Sequence, residues 1–188
     1  SISNLNINES YCDFETLIDE LIKKNKTYDG KIKIIVHYKQ ENKSENDVFL
    51  YFTPHYFPSD EDIANGVNIG LCKAVRSNLN AKILNTDARQ KANHYIVENK
   101  LFEVLLQDND EITEGSRSNV FFIKDDTILT PPAFEVLKGI TRTNIMRLCK
   151  ENDLKIIEKE IHINDLPNMD AAFLSGTSLK VLPINSIE

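Results

Sequence analysis

Between Ile112 and Phe122 the chain reads Ile-Thr-Glu-Gly-Ser-Arg-Ser-Asn-Val-Phe-Phe. Glu114 brings a carboxylate, Ser116 and Ser118 hydroxyls, Arg117 a guanidinium and Asn119 an amide, with Gly115 among them. This polar segment lies between two apolar runs, Phe102 to Leu106 and Val120 to Ile123, that read as strands. A polar turn between buried strands is a place to hold a ligand. Glu114 is placed to face the protonated nitrogen of a heteroaromatic ring, the partner an electron-sink cofactor needs.

Two further segments suit a phosphate. In Leu137-Lys138-Gly139-Ile140-Thr141-Arg142, Gly139 lets the backbone approach a ligand and Thr141 falls in the first turn of a helix. Free N–H groups there, with a threonine hydroxyl, make an anion site. Ser175-Gly176-Thr177-Ser178 follows an apolar strand and offers N–H groups and three hydroxyls. Taken singly, the first reads as an ordinary helix start and the second as an ordinary turn. Lys82 changes that balance. It sits in the mostly uncharged stretch Asn80-Ala81-Lys82-Ile83-Leu84-Asn85, a setting that suits a nucleophilic amine. Lys91 competes, but Arg89, Gln90 and Asn93 surround it on a helix that reads as partly exposed.

The elements that must position these groups follow from periodicity. Tyr11 to Asn25 carries Phe14, Leu17, Ile18, Leu21 and Ile22 at helical spacing, with Lys23 and Lys24 in its last turn. Lys31 to Tyr38 and Val48 to Thr53 read as paired strands joined by the polar link Gln40 to Asp47. The prolines of Pro54 to Asp60 mark a boundary, dividing the chain into residues 1–58 and 59–188. Val67 to Val75 reads as a strand, and Asp87 to Asn99 as a helix presenting Ala88, Ala92, Tyr95 and Ile96 on one face. Ile128-Leu129 is a short strand. A helix from Gly139 to about Asn152 buries Ile140, Ile145, Leu148 and Cys149. Lys155 to Ile161 reads as one strand and Asn164 to Met169 as a short helical turn. Ala171 to Leu174 and Val181 to Ile184 are strands flanking Ser175 to Ser178. Many strands with few helices make a mixed α/β (α+β) fold.

Composition narrows the function classes. The 188 residues carry a net charge of −7 with no basic cluster, which argues against nucleic acid as a partner. No apolar run reaches the length of a membrane span, so no membrane partner is expected. Cys12, Cys72 and Cys149 match no disulfide or zinc spacing and read as reduced thiols of a cytoplasmic protein. His37, His55, His94 and His162 are scattered, so no metal site is expected.

The three ordered motifs, Thr113 to Phe121, Leu137 to Arg142 and Ser175 to Ser178 with Leu182-Pro183-Ile184, resemble the class IV, fold-type IV pyridoxal-phosphate enzymes. That family includes branched-chain aminotransferases, D-amino-acid aminotransferases and aminodeoxychorismate lyases. The resemblance spans nearly the whole chain, best from about Asn80 onward. It implies a two-domain enzyme: a small α/β domain over residues 1–58 and a pseudo-barrel large domain over residues 59–188, with pyridoxal 5'-phosphate as cofactor. Lys82-Ile83-Leu84-Asn85 matches the family's lysine motif and lies at the expected interval, 32 residues upstream of Glu114. Lys82 is thereby implied as the Schiff-base lysine and proton shuttle, and Glu114 as the carboxylate pairing with the pyridinium nitrogen. Gly139, Ile140, Thr141, Gly176, Thr177 and Ser178 are implied at the phosphate. Ser118 and Asn119 would flank the ring and Leu137 would pack on its face. The implied activity is transamination between an amino acid, branched-chain-like or D-configured, and a 2-oxo acid, by a homodimer. An aminodeoxychorismate lyase and a catalytically inactive fragment or relative are the alternatives. Two features depart from the family pattern. Thr86-Asp87 follows Asn85 where an apolar or aromatic residue is usual. No His-x-x-Arg motif precedes the first helix, so the N-terminal part of the small domain is expected to be missing.

Overall fold

The computed structural model describes residues 11–38, 46–54, 57–74 and 87–188. The chain divides into two compact units, Ser1–Tyr56 and Phe57–Glu188. In the first, helix α1 (Tyr11–Asn25) half-buries Phe14, Ile18, Leu21 and Ile22. Asp13 in its first turn and Lys23 and Lys24 in its last complement the helix dipole. Strands β1 (Lys31–Tyr38) and β2 (Asn46–Thr53) pair antiparallel from Lys31↔Thr53 to Tyr38↔Asn46.

The second unit begins with a capped helix. Ser59 Oγ accepts from the Asp62 N–H at 3.1 Å, and the Asp62 carboxylate accepts from the Ser59 N–H at 2.8 Å. This capping box starts α2 (Asp60–Asn65). Strand β3 (Val67–Lys73), helix α3 (Asp87–Asn99), and strands β4 (Glu103–Asp108), β5 (Glu111–Gly115), β6 (Asn119–Lys124) and β7 (Thr127–Thr130) follow. Helix α4 (Ile140–Glu151) and strands β8 (Ile156–Glu158), β9 (Ile161–His162), β10 (Ala171–Gly176) and β11 (Lys180–Ile187) complete the unit, with a 3-10 turn over Ile163–Asn168. Among the described residues the strands form one mixed sheet of order β8-β7-β6-β10-β11-β3-β4-β5-β9.

That order forces the sheet to curl. Strands β5 and β6 are separated in it by β10, β11, β3 and β4, yet only residues 116–118 join them. A flat sheet would need roughly 24 Å for five strand spacings, while four extended steps reach about 14 Å at most. The outermost strands, β8 and β9, are joined by Lys159 and Glu160 alone. Both ends of the sheet therefore come round to meet, which is the pseudo-barrel expected for this part of the chain. Inside it lie Val67, Ile69, Leu105, Ile112, Val120, Phe122, Leu129, Ile161, Leu174 and Leu182. Outside it, Ala88, Ala92 and Ile96 of α3 cover Cys72, Val104 and Leu106. Strand β4 is thus buried on both faces, which is why Val104, Leu105 and Leu106 run without polar interruption.

Several expected elements differ. The polar segment after Phe102–Leu106 is not one long turn: Glu111–Gly115 is a strand and only residues 116–118 turn. Ile112 and Glu114 share its inner face, as the two-residue period of a strand requires. Lys155 to Ile161 is two strands, because its halves pair with opposite ends of the sheet, β8 with β7 and β9 with β5. Ser175 and Gly176 belong to β10, so the turn begins later than expected. Strand β3 ends at Lys73, and Val75 lies outside the described residues. On α3 the buried face is Ala88, Ala92 and Ile96, while Tyr95 stays 36% exposed. On α4, Cys149 is buried as expected, but Ile140 and Leu148 are exposed. Arg142 takes the inner position instead. Its guanidinium Nη2 donates to the Pro131 carbonyl at 2.9 Å and to Glu158 Oε2 at 3.0 Å.

Candidate active site

Glu114, Ser118, Asn119, Leu137, Gly139, Ile140, Thr141, Gly176 and Thr177 line a single cleft in the second unit. Ser178 sits on the turn beside it and is not among the lining residues. Lys82 lies outside the described residues. Four further residues, not assigned individually as site residues from the sequence, also line the cleft: Arg89, Ser116, Arg117 and Ser175. Three of these stand inside the motifs already singled out. Arg89 carried no signal of its own beyond a place near the start of α3.

One wall is built from Glu114 and Asn119, which bracket the turn between β5 and β6. Glu114 is 2% exposed, and its Oε2 accepts from the Leu137 N–H at 3.1 Å. Asn119 Nδ2 donates to the Leu137 carbonyl at 2.9 Å. Both backbone polar groups of Leu137 are thus held by the first motif, and this fixes the approach of the second. Gly139 follows, in contact with the same amide: a Cβ there would lie 2.5 Å from Asn119 Oδ1. Gly139 is the N-cap of α4 and makes no side-chain cap hydrogen bond. The first N–H groups of that helix therefore open at the cleft, where Ile140 and Thr141 line it.

Beside Asn119 stands the end of β10. Ser175 pairs in register with Asn119 and is 1% exposed, and its buried Oγ has no hydrogen-bond partner among the described residues. Gly176 and Thr177 continue the lining from there. The cleft therefore brings a carboxylate acceptor together with N–H and O–H donors. Two guanidinium groups, Arg89 and Arg117, add positive charge to its lining, and Arg117 Nη2 also donates to Asn93 Oδ1 at 3.2 Å.

Behind the first wall is an acid hidden in the sequence by its apolar neighbours. Glu103 of β4 is 2% exposed. Its Oε1 accepts from the Val104 N–H at 3.0 Å and from Ser116 Oγ at 2.6 Å. Its Oε2 accepts from the Arg117 N–H at 3.1 Å and from Ser118 Oγ at 3.3 Å. A buried acid in the otherwise apolar run Phe102–Leu106 is costly unless its oxygens are satisfied, and that mismatch was the available signal. Below α4, burial works to raise the Glu158 carboxyl, but it titrates below the usual range. The hydrogen bonds from Arg142 and the Ala133 N–H, and the charges of Arg142 and Lys150, outweigh burial.

Comparison with known proteins finds chains of similar sequence and fold. A D-alanine aminotransferase of Bacillus licheniformis is 29% identical over 197 residues, which cover 98% of this chain and 68% of that protein. The crystal structure of a putative branched-chain amino acid aminotransferase from Thermotoga maritima superposes with a TM-score of 0.79 at 27% identity, covering all of this chain and 66% of that one. An aminotransferase from Brucella abortus, solved bound to the co-factor PLP, gives a TM-score of 0.76 at 24% identity, over 97% of this chain and 70% of that one. The chain thus spans about two thirds of the length of these relatives. The family model for amino-transferase class IV matches residues 1–187, and the chain belongs to that family.

Proposed function

We propose that the protein is a pyridoxal-phosphate-dependent aminotransferase that moves an amino group between an amino acid, branched-chain-like or D-configured, and a 2-oxo acid. The observation that carries this reading is the polarity of the cleft. The buried Glu114 carboxylate lines it together with the open start of α4 and the Ser175 hydroxyl, which has no hydrogen-bond partner among the described residues. A ligand that answers both offers a donor to the carboxylate and an anion to the N–H groups, and pyridoxal phosphate, with its protonated ring nitrogen and its phosphate, is such a molecule. The cofactor supplies a carbonyl to receive the amino group and a protonated ring to draw electrons from the substrate's Cα–H bond.

The chain's own residues divide the remaining work. Glu114 would keep the proton on the ring nitrogen. The N–H groups of Gly139, Ile140 and Thr141, the Thr141 hydroxyl, and Gly176, Thr177 and Ser178 would bind the phosphate. Leu137, whose backbone N–H and carbonyl are held by Glu114 and Asn119, would pack on the ring, with Ser118 and Asn119 beside it. Lys82 would hold the cofactor through its amine and would serve as the base that moves the proton at the substrate Cα. We assign the protein to the cytoplasm, where the unpaired thiols of Cys72 and Cys149 stay reduced. We assign it a homodimeric state, for which the exposed Ile34, Ile35, Phe49 and Tyr51 of the β1–β2 pair offer apolar surface. Among the described residues no helix is long and apolar enough to cross a membrane.

Borohydride reduction of the cofactor-loaded chain, followed by peptide mapping, tests the assignment. Label is expected on Lys82. Label on Lys91, or on neither lysine, overturns it. Amino-acid-dependent conversion of a 2-oxo acid acceptor, screened over branched-chain L-amino acids and D-amino acids, tests the activity.

A further inference from the structure

We propose that Glu103 is a positioning residue: its buried carboxylate sets the turn that aims Glu114 and Asn119 at Leu137 and into the cleft. The proposal rests on the cofactor reading above only for its consequence at the ligand.

Three observations converge on it. First, both oxygens of Glu103 are used as acceptors, by two backbone N–H groups and two hydroxyls, and among the described residues no cation contributes. That is the acceptor-only pattern of a carboxylate serving as a node, and hydrogen bonds to such a group are among the strong ones. Second, three of the four donors, Ser116, Arg117 and Ser118, are the whole turn between β5 and β6. This turn crosses the seam where the curled sheet returns on itself, so the ladder cannot hold it. Its tie to β4, apart from Glu103, is the Ser116 N–H donating to the Val104 carbonyl at 3.0 Å. Third, the sequence makes room for the clamp. A Cβ on Gly115 would overlap Ser118 Oγ, so Gly115 leaves the space through which the Ser118 side chain folds back towards Glu103.

The residues at the two ends of this turn are the ones that matter at the cleft. Glu114 precedes Gly115 and Asn119 follows Ser118, and together they grip the N–H and the carbonyl of Leu137. Glu103 is not itself among the cleft-lining residues; it reaches the cleft through Ser116, Arg117 and Ser118, which are. It acts through the turn, and the turn sets the separation of the two gripping side chains.

The test compares Glu103→Gln with the parent chain by two readouts. The first needs no cofactor: site-resolved hydrogen exchange of the unloaded protein. An amide in place of the carboxylate turns at least one N–H toward a donor, and loss of a hydrogen bond to a charged group loosens the turn. Leu137 N–H exchange is then expected to speed up about tenfold, while amides inside α4 keep their parent rates. The second is pyridoxal phosphate binding by the same variant. Its Kd is expected to rise about tenfold, with a changed circular dichroism band of the bound cofactor. Parent-like exchange at Leu137 in a folded variant overturns the proposal. So does a uniform acceleration of all amides with Kd and circular dichroism unchanged, which is what a merely structural carboxylate gives. If the parent itself binds no pyridoxal phosphate, the cofactor reading fails, and Leu137 exchange still decides the role of Glu103. If Glu103→Gln does not fold, Glu103→Asp replaces it. That variant keeps the charge but withdraws it by one methylene, and it must show intermediate values of the same readouts; parent values overturn the proposal.

Discussion

Gly139→Ala is a test of how tightly the two motifs are fitted together. The backbone at Gly139 has φ −69° and ψ 144°, which alanine adopts freely. By that criterion alone the substitution would stabilise the fold by about 0.4–1 kcal/mol through the unfolded chain. The space decides otherwise. The new methyl would lie 2.5 Å from Asn119 Oδ1, with Asn119 Cγ and Arg142 Cβ at 3.7 and 3.8 Å. Asn119 is 7% exposed and cannot swing into solvent, and its Nδ2 already holds the Leu137 carbonyl at 2.9 Å. Moving the amide costs that hydrogen bond, about 0.5–1.5 kcal/mol, and a displaced rotamer, again about 0.5–1.5 kcal/mol. The net expectation is a loss of about 1–2 kcal/mol. A double-mutant cycle isolates the cause. In an Asn119→Ala background the obstructing oxygen is gone, so Gly139→Ala is expected to become neutral or stabilising, a coupling of about 1–2 kcal/mol. Urea denaturation of the four proteins, compared at unchanged m, reads the effect from the midpoints. Equal destabilisation in both backgrounds would refute the reasoning, as would a Gly139→Ala variant more stable than the parent.

Glu114→Gln is expected to lower turnover on the order of 10²-fold while bound pyridoxal phosphate per chain falls little, since an amide cannot hold the ring proton but the phosphate contacts persist. Rate and cofactor absorbance measured on one preparation decide, and a near-parent rate removes Glu114 from its role. Glu135→Gln is expected to raise the melting temperature in a pH-dependent way. Carboxylate oxygens of Glu111, Glu135 and Glu160 lie within 4.8 Å of one another, and the buried Glu135 Oε2 has no hydrogen-bond partner among the described residues. Burial, then the charges of Glu160, Glu111 and Asp108, push the Glu135 carboxyl above its usual 4.5. A raised folded value means that its stabilising contribution is present in acid and is lost as pH rises through that value. The glutamine variant should therefore melt about 2 °C higher at pH 7–8 and gain nothing below pH 4, on the scale where ~1 kcal/mol moves a chain of this size by roughly 2–4 °C. A gain that is the same at both pH values would show that charge is not the cause.

The sequence carried the chemistry of this protein more plainly than its geometry, for a physical reason. The groups we propose to bind an anion or face a ring nitrogen sit in short local motifs. Their types and order can be read without knowing what lies across from them, so nine of the residues singled out from those motifs line one cleft. Elements with a clean period were legible too. The α1 stripe, the β1–β2 pair and the Ala88, Ala92, Ile96 face of α3 each follow from residues that repeat at the spacing of the structure they form. What failed was set by distant pairing. Nothing local says that Glu111–Gly115 has a ladder partner on each side, β4 and β9, or that Lys155–Ile161 divides between the two ends of a sheet. Nothing local says that an arginine will take the inner face of α4, because Pro131 and Glu158, its partners, come from other elements.

Those failures fall together at the seam. The β5–β6 turn and the β8–β9 step are the two places where the chain passes between the ends of the curled sheet. At the first of them the ladder gives way to side-chain bonds, and the cleft residues Glu114 and Asn119 stand at its ends. Where a turn replaces the ladder, its N–H and C=O groups need other partners, and polar side chains supply them. Glu103 does so by accepting from the turn, and Glu114 and Asn119 do so by holding Leu137. The concentration of polar residues at Glu114–Asn119 has a structural cause as well as a chemical one. The seam gathers acceptors and donors, and the cleft beside it puts them to use.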